Sequence, residues 1–314
     1  MPSLAEDLRT ALRLTPTPDV EALTGHFREV FGPALCAVVM YGSCRNEETR
    51  KASSIYDFFL ICDDYRAFRG KGRDAVLSGF LPPNVYYLEL PALQPGCPDL
   101  ACKYNVLSLA HLETETSRAA RDLFLIGRLG KRVGITYARD PSALEKVVAC
   151  VAEAMRHNVC LIVPLLPPEL PLDEFVRRLL ALSYASEFRI ERSTKVVELF
   201  EADKAHYLRF YRELLAETRV AEIRDDSTCV LSLSATERGA GARRTAAVMR
   251  RSRRPSVLRW AKNTLTFNDF VGYFLRKLER TAGIRLELTA HERKYPLLLG
   301  WKHLIRLARL GLLK

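Results

Sequence analysis

The residues best placed to do chemistry begin at Gly42-Ser43, which ends an apolar run, and continue at Asp57, with thirteen residues between Ser43 and Asp57. A glycine there lets phosphate oxygens approach the main chain, and successive amides in a turn form a nest for an anion. Asp57 interrupts an otherwise apolar stretch, Ile55 to Cys62. A carboxylate in that setting costs several kcal/mol unless it is paired or bound to a metal. Its hard oxygens suit Mg²⁺. Taken alone, Gly-Ser after an apolar strand reads as a turn. With Asp57 beside it, the pair points to phosphate chemistry assisted by a divalent cation.

Two strands must hold these groups, Ala34 to Tyr41 before the turn and Ile55 to Asp64 after it. Asn84–Leu90 and Ala101–Leu107 read as a third and fourth strand, the last carrying Lys103 within reach of a phosphate. Ahead of them, apolar spacing predicts helices over 3–14 and 19–31, the second capped by Asp19. Asp63-Asp64 reads as the N-cap region of a short helix, and one helix is expected to run on to about Leu129 before Gly130. From about Pro141 the pattern turns helical, over 141–157, 172–186 and 203–216, with a small hairpin from Val220–Ile223 and Cys229–Leu233. Arg238 to Arg254, rich in Gly, Ala and Arg, reads as a mobile linker or loop. Helices follow at Asn268–Ala282 and Trp301–Leu313. The expected organisation is α+β, with a first domain over 1–140, a helical domain over 141–237 and a basic region over 238–314.

Charge divides the chain unevenly. The net charge of +11 hides a C-terminal part, from Arg238, with 19 basic and 4 acidic residues, against −4 for residues 1–237. Such a tail seeks a polyanion, either nucleic acid or an anionic membrane surface. In the last helix Trp301, Leu304, Ile305, Ala308 and Leu312 share one face opposite Lys302, Arg306 and Arg309, the composition of a helix lying among lipid headgroups. The alternative is a terminal helix docked on its own domain. The tail has no RNA- or DNA-binding signature and no aromatics interleaved with its charges, so no specific nucleic acid is expected. The eight cysteines make no C-x-x-C pair and read as reduced, buried thiols, neither disulfides nor zinc ligands. The first thirty residues lack an apolar signal region, Glu6 and Asp7 disfavour a transit peptide, and no stretch approaches a membrane span.

Strand, Gly-Ser and carboxylate in this order resemble the opening of polymerase-β-like nucleotidyltransferases. The usual Asp-x-Asp of that fold is here Asp57-Phe58-Phe59. The resemblance makes Glu89 on the third strand a candidate second metal ligand, with a solvated, edge-facing Glu as the alternative. Further motifs narrow it. Tyr41-Gly42-Ser43, Asp57-Phe58, Asp63-Asp64, Val85-Tyr86-Tyr87, Lys103-Tyr104-Asn105-Val106 and Leu123 to Leu129 occur in order. Leu165-Leu166-Pro167, Leu182 to Arg189 and Lys195-Val196 follow. Across residues 35–215 the chain resembles the mitochondrial-type phosphatidate cytidylyltransferases, the CDP-diacylglycerol synthases of the translocator assembly and maintenance type. Cys44, Asn105 and Ser186-Glu187 depart from that family's pattern, which has Gly, Gly and Gly-Asp there.

The resemblance implies a nucleotidyltransferase domain, a winged-helix-like domain and a membrane-binding C-terminal helix. It implies that CTP and phosphatidate give CDP-diacylglycerol and pyrophosphate with Mg²⁺. Tyr41, Gly42, Ser43 and Lys195 would hold the nucleotide, Asp57 and Glu89 the metal. Lys103 and Arg189 would neutralise phosphate charge, and Glu187 would be a second acid. The expected setting is the cytoplasmic, inner face of a membrane, or the matrix side in a mitochondrion, with homo-oligomerisation left open. Two rivals remain at this level: a nucleotidyltransferase with another acceptor, and a catalytically inactive basic binding protein.

Overall fold

A computed structural model describes residues 4–45, 55–69, 82–185 and 195–266, with isolated positions elsewhere. The architecture is α+β, as expected. Its centre is a five-stranded sheet in the order β3-β4-β2-β1-β5. The strands are β1 (Leu35–Tyr41), β2 (Tyr56–Cys62), β3 (Asn84–Leu90), β4 (Leu100–Ser108) and β5 (Gly134–Ala138). β2 and β4 run parallel, and the remaining pairs are antiparallel. β1, β2 and β4 are apolar on both faces because both are covered.

Side chains alternate between the two covers. Val38, Met40, Phe58, Leu60, Tyr104 and Val106 pack with Val20, Leu23 and Phe27 of helix α2 (Pro18–Phe31). Full burial of a Phe such as 27 or 58 contributes about 1.5–3 kcal/mol each. Val39, Phe59, Ile61 and Leu107 face the other way, towards α1 (Leu4–Ala11), α4 (Leu109–Thr116), α5 (Phe124–Leu129) and α6 (Pro141–Ile162). Between β2 and β3, the short α3 (Tyr65–Arg69) starts where Asp64 Oδ1 accepts from the amides of Arg66 and Ala67, as its N-cap reading requires.

Beyond α6 the chain forms α7 (Leu172–Ala185), α8 (Lys195–Ala202) and α9 (Lys204–Thr218). β6 (Glu169–Pro171), β7 (Ala221–Arg224) and β8 (Thr228–Leu231) make a second sheet, ordered β6-β8-β7. The expected hairpin is β7–β8. Helix α10 (Ala235–Thr266) then runs for 32 residues.

Several expectations are corrected. Arg238–Arg254 is helix, because Ala and Arg are strong helix formers that outweigh two glycines. One of those, Gly241, lies against Pro164, where an added Cβ would meet Cγ at 2.5 Å. The single helix ending near Leu129 is two, α4 and α5, separated where Asp122 Oδ1 accepts from Phe124 N at 2.8 Å. Thr17, not Asp19, stands at the N-cap of α2, with Pro18 in the first turn, while Asp19 accepts from the Tyr56 hydroxyl. β5, β6 and α8 had no distinct sequence signal. Cys36, Cys44, Cys62, Cys102, Cys150 and Cys229 are buried free thiols, but Cys97 and Cys160 are exposed. Pro141–Leu165 is long and apolar enough to cross a membrane, against expectation, yet 72% of its most apolar window is buried in this fold. The two C-terminal helices expected at Asn268–Ala282 and Trp301–Leu313 lie outside the described residues.

α10 uses four of its cations internally. Arg238 donates to the Leu166 carbonyl, Arg251 to Ala120 O at 2.6 Å, and Arg259 to Pro82 O at 3.1 Å. Lys262 donates to Pro83 O at 3.2 Å. Arg259 also makes a buried ion pair with Asp122 at 2.6 Å. Burial, and then the charge of Arg259, bring the Lys262 ammonium down to about 7. The helix therefore bridges the loop before β6 and the Pro82-Pro83 segment that leads into β3 through charge-assisted bonds.

Candidate active site

Strand register assembles the centre of the site. Tyr41 on β1 stands opposite Asp57 on β2, Asp57 opposite Lys103 on β4, and Lys103 opposite Tyr87 on β3. Directly paired residues project to the same face. Four strands thus place a phenol, a carboxylate, an ammonium and a second phenol in one row. Lys103 Nζ lies 2.7 Å from Asp57 Oδ1, both side chains about one-fifth exposed.

The Gly42-Ser43 turn touches that row. Gly42 has φ +84°, and a Cβ there would fall 2.7 Å from Asp57 Oδ2. Both the left-handed backbone and the close approach require glycine. Ser43 follows, exposed, in a 3-10 turn, Ser43–Arg45.

Tyr41 lies flat along the sheet over Phe59, ring centres 4.4 Å apart and planes 21° from parallel. Its hydroxyl ends at Asn105 on β4, whose Nδ2 donates to it at 2.7 Å and to Phe58 O at 3.3 Å. Burial, then the charge of Asp57, push the phenol up to about 12. It stays protonated across the physiological range.

Behind the turn lies a second charged cluster. Asp203 is buried and receives the guanidinium of Arg45, in the turn itself, and that of Arg132 at 2.5 Å. Asp203 stands at the N-terminus of α9 without capping it through its side chain, because both oxygens serve the arginines. His206, one turn on, is held far below its usual value, at about 3, by burial and then by the Arg132 charge. On the other flank Phe124 is sandwiched between guanidinium groups, Arg128 at 3.6 Å and Arg259 at 4.5 Å.

Tyr41, Gly42, Ser43, Asp57 and Lys103 come together. Glu89 does not join them: it is exposed, accepts from Tyr87 Oη at 2.8 Å, and pairs with Ala101 one step further out. Two strand spacings and two residues put its Cα roughly 12 Å from that of Asp57. Glu187 and Arg189 lie outside the described residues, as does the side chain of Lys195, which begins α8. Sequence reading missed Arg45, Arg132, Asp203 and Asn105. A basic residue directly after Gly-Ser was the available signal for Arg45. Lys131-Arg132 was visible but read as a helix end.

Mg²⁺ is compatible with this donor set. Asp57 Oδ1 is buried against the Lys103 ammonium, so a cation bound there would take the place of that ion pair. No cluster of three or more His, Cys, Asp or Glu forms a metal cage among the described residues. A single carboxylate completed by substrate phosphates is a common way to bind Mg²⁺.

Compared with known families, residues 65–258 match the family model described as phosphatidate cytidylyltransferase, mitochondrial. The chain belongs to this family. It is a nucleotidyltransferase that makes CDP-diacylglycerol, with CTP and phosphatidate as the substrates the family implies. No curated protein matches it. The family match takes in Lys103, Asn105, Phe124, Arg128, Arg132 and Asp203 and begins after Tyr41, Gly42, Ser43 and Asp57.

Proposed function

We propose that the row Tyr41–Asp57–Lys103, closed by the Gly42-Ser43 turn, carries the cytidylyl transfer of this phosphatidate cytidylyltransferase. The five-stranded sheet is read as a polymerase-β-like nucleotidyltransferase core, and the β6–β8 sheet with its helices as a winged-helix-like unit. A phosphate-monoester oxygen of phosphatidate attacks the α-phosphorus of CTP, and pyrophosphate leaves. That oxygen is ionised near neutral pH, so the reaction needs alignment and charge neutralisation more than a strong base. The amides and hydroxyl at Gly42-Ser43 hold the triphosphate. Asp57 would hold Mg²⁺, which supplies charge neutralisation between the phosphates. Lys103, paired with Asp57 in the free protein, turns to the phosphates when nucleotide arrives. Arg189, Lys195 and Glu187 are assigned to the same site by sequence alone.

The observation that supports this reading most strongly is the contact between Gly42 and Asp57, which joins a phosphate-binding turn to a metal-binding carboxylate. Pyrophosphate release should require both CTP and phosphatidate vesicles, depend on Mg²⁺ and disappear in Asp57→Ala. Turnover without lipid would favour another acceptor.

We also propose that the protein works peripherally on an anionic membrane surface. Arg238, Arg251, Arg259 and Lys262 of α10 are bonded to main-chain carbonyls, so the charge for this contact comes from exposed cations of α10 such as Arg243, Arg244 and Arg250 and from the basic residues further along the chain. Deleting residues 298–314 should weaken binding to phosphatidate vesicles; unchanged binding would sink the idea.

A further inference from the structure

The Asn105 side chain is 1% exposed and sits one row behind Asp57 and Lys103, on their face of the sheet. Its orientation is decided by a neighbour that can only accept: the Phe58 carbonyl, 3.3 Å from Nδ2. The amide nitrogen must point that way, and its other hydrogen then goes to the Tyr41 oxygen at 2.7 Å. Tyr41 Oη is thus an acceptor in this bond, and its own proton remains to be given. No acceptor for it occurs among the described hydrogen bonds. The tyrosine immediately precedes the phosphate-binding turn, and stacking on Phe59 prevents its ring from swinging away.

We propose that Asn105 is a positioning residue that fixes Tyr41 as a hydrogen-bond donor to a phosphate oxygen of the bound nucleotide. This rests on the reading of Gly42-Ser43 as the triphosphate turn. Asn105→Asp keeps the shape but accepts from the phenol, drawing the proton inward. Asn105→Ala only releases the ring. Tyr41→Phe removes the donor.

The experiment is calorimetric titration of each full-length variant with CTP and Mg²⁺ in the absence of lipid, with a thermal melt to confirm folding. Tyr41→Phe and Asn105→Asp should each weaken CTP by about tenfold, the scale of one hydrogen bond. Asn105→Ala should fall between them and the parent protein. The Tyr41→Phe/Asn105→Asp double variant should be no weaker than either single one, because both remove the same bond. In turnover the loss should appear chiefly in KM for CTP. Parent-like CTP binding by Tyr41→Phe, or double-variant losses that multiply, would overturn the proposal. Gly42→Ala separates the two readings. If it binds CTP normally, the triphosphate assignment itself fails. If it loses CTP while Tyr41→Phe does not, only the role of Asn105 fails. Should Asn105→Asp not fold, Asn105→Ala and Tyr41→Phe still decide the outcome.

Discussion

Lys103 Nζ stands 2.7 Å from Asp57 Oδ1, across the parallel pairing of β2 with β4. The free protein holds this carboxylate in an internal ion pair, and under the proposed reading a divalent cation would displace the ammonium. Loss of either partner should therefore be felt differently. Asp57→Ala should lower kcat by about a thousandfold, the scale seen when a charge-stabilising group is lost from an active site. Lys103→Met should leave the Mg²⁺ requirement in place while lowering kcat/KM for CTP by about a hundredfold. Steady-state pyrophosphate release against Mg²⁺ and CTP concentrations distinguishes the two patterns.

Gly42→Ala places a methyl group 2.7 Å from Asp57 Oδ2 and forces an L-residue to φ +84°. The left-handed backbone costs about 1–2 kcal/mol. The expected result is a modest fall in melting temperature with a much larger loss of turnover, because the carboxylate is displaced. A variant that melts lower but turns over normally would argue against Asp57 at the reaction centre.

Asp203 holds two guanidinium groups, one of them in the turn that follows Gly42. Asp203→Ala leaves both without their buried partner and should cost about 3–5 kcal/mol in urea unfolding. Nucleotide binding should weaken too, since Arg45 and the turn lose their anchor. An unchanged unfolding midpoint would remove this cluster from the account of stability.

His206 gives the fold an acid limit. Unfolded, its imidazole protonates near 6.5; folded, only near 3. Between those values the unfolded chain binds more protons, so stability falls as pH is lowered. The slope from this one group approaches about 1.4 kcal/mol per pH unit. His206→Phe, next to Phe210, should flatten the stability profile between pH 6 and 4, measured by urea midpoints at each pH.

The sheet around the site was legible because its strands are apolar runs of strand length, and β3 is placed to the residue. Gly42, Ser43, Asp57 and Lys103 stand out in the sequence because their types suit phosphate and metal, and strand register brings them together. Asn105 was visible only as an odd residue in a motif; its role depends on register, which puts it under Tyr41 from two strands away. Asp203 carried no signal, since its partners lie 158 and 71 residues away. α10 was misread because Gly and Arg suggested a loop, whereas Ala and Arg favour helix and its cations find carbonyls to bind. Only distance in space explains those choices.

The bond between Arg45 and Asp203 also sets an order of assembly. A nascent chain makes the turn, the carboxylate strand and the lysine strand long before Asp203 leaves the ribosome. At about 5–20 residues per second, the 158 intervening positions take roughly 10–30 s to make. During that interval the sheet can form while the turn after Gly42 has no anchor. The finished site thus arrives late in synthesis, when the helical half has folded onto the strands that were made first.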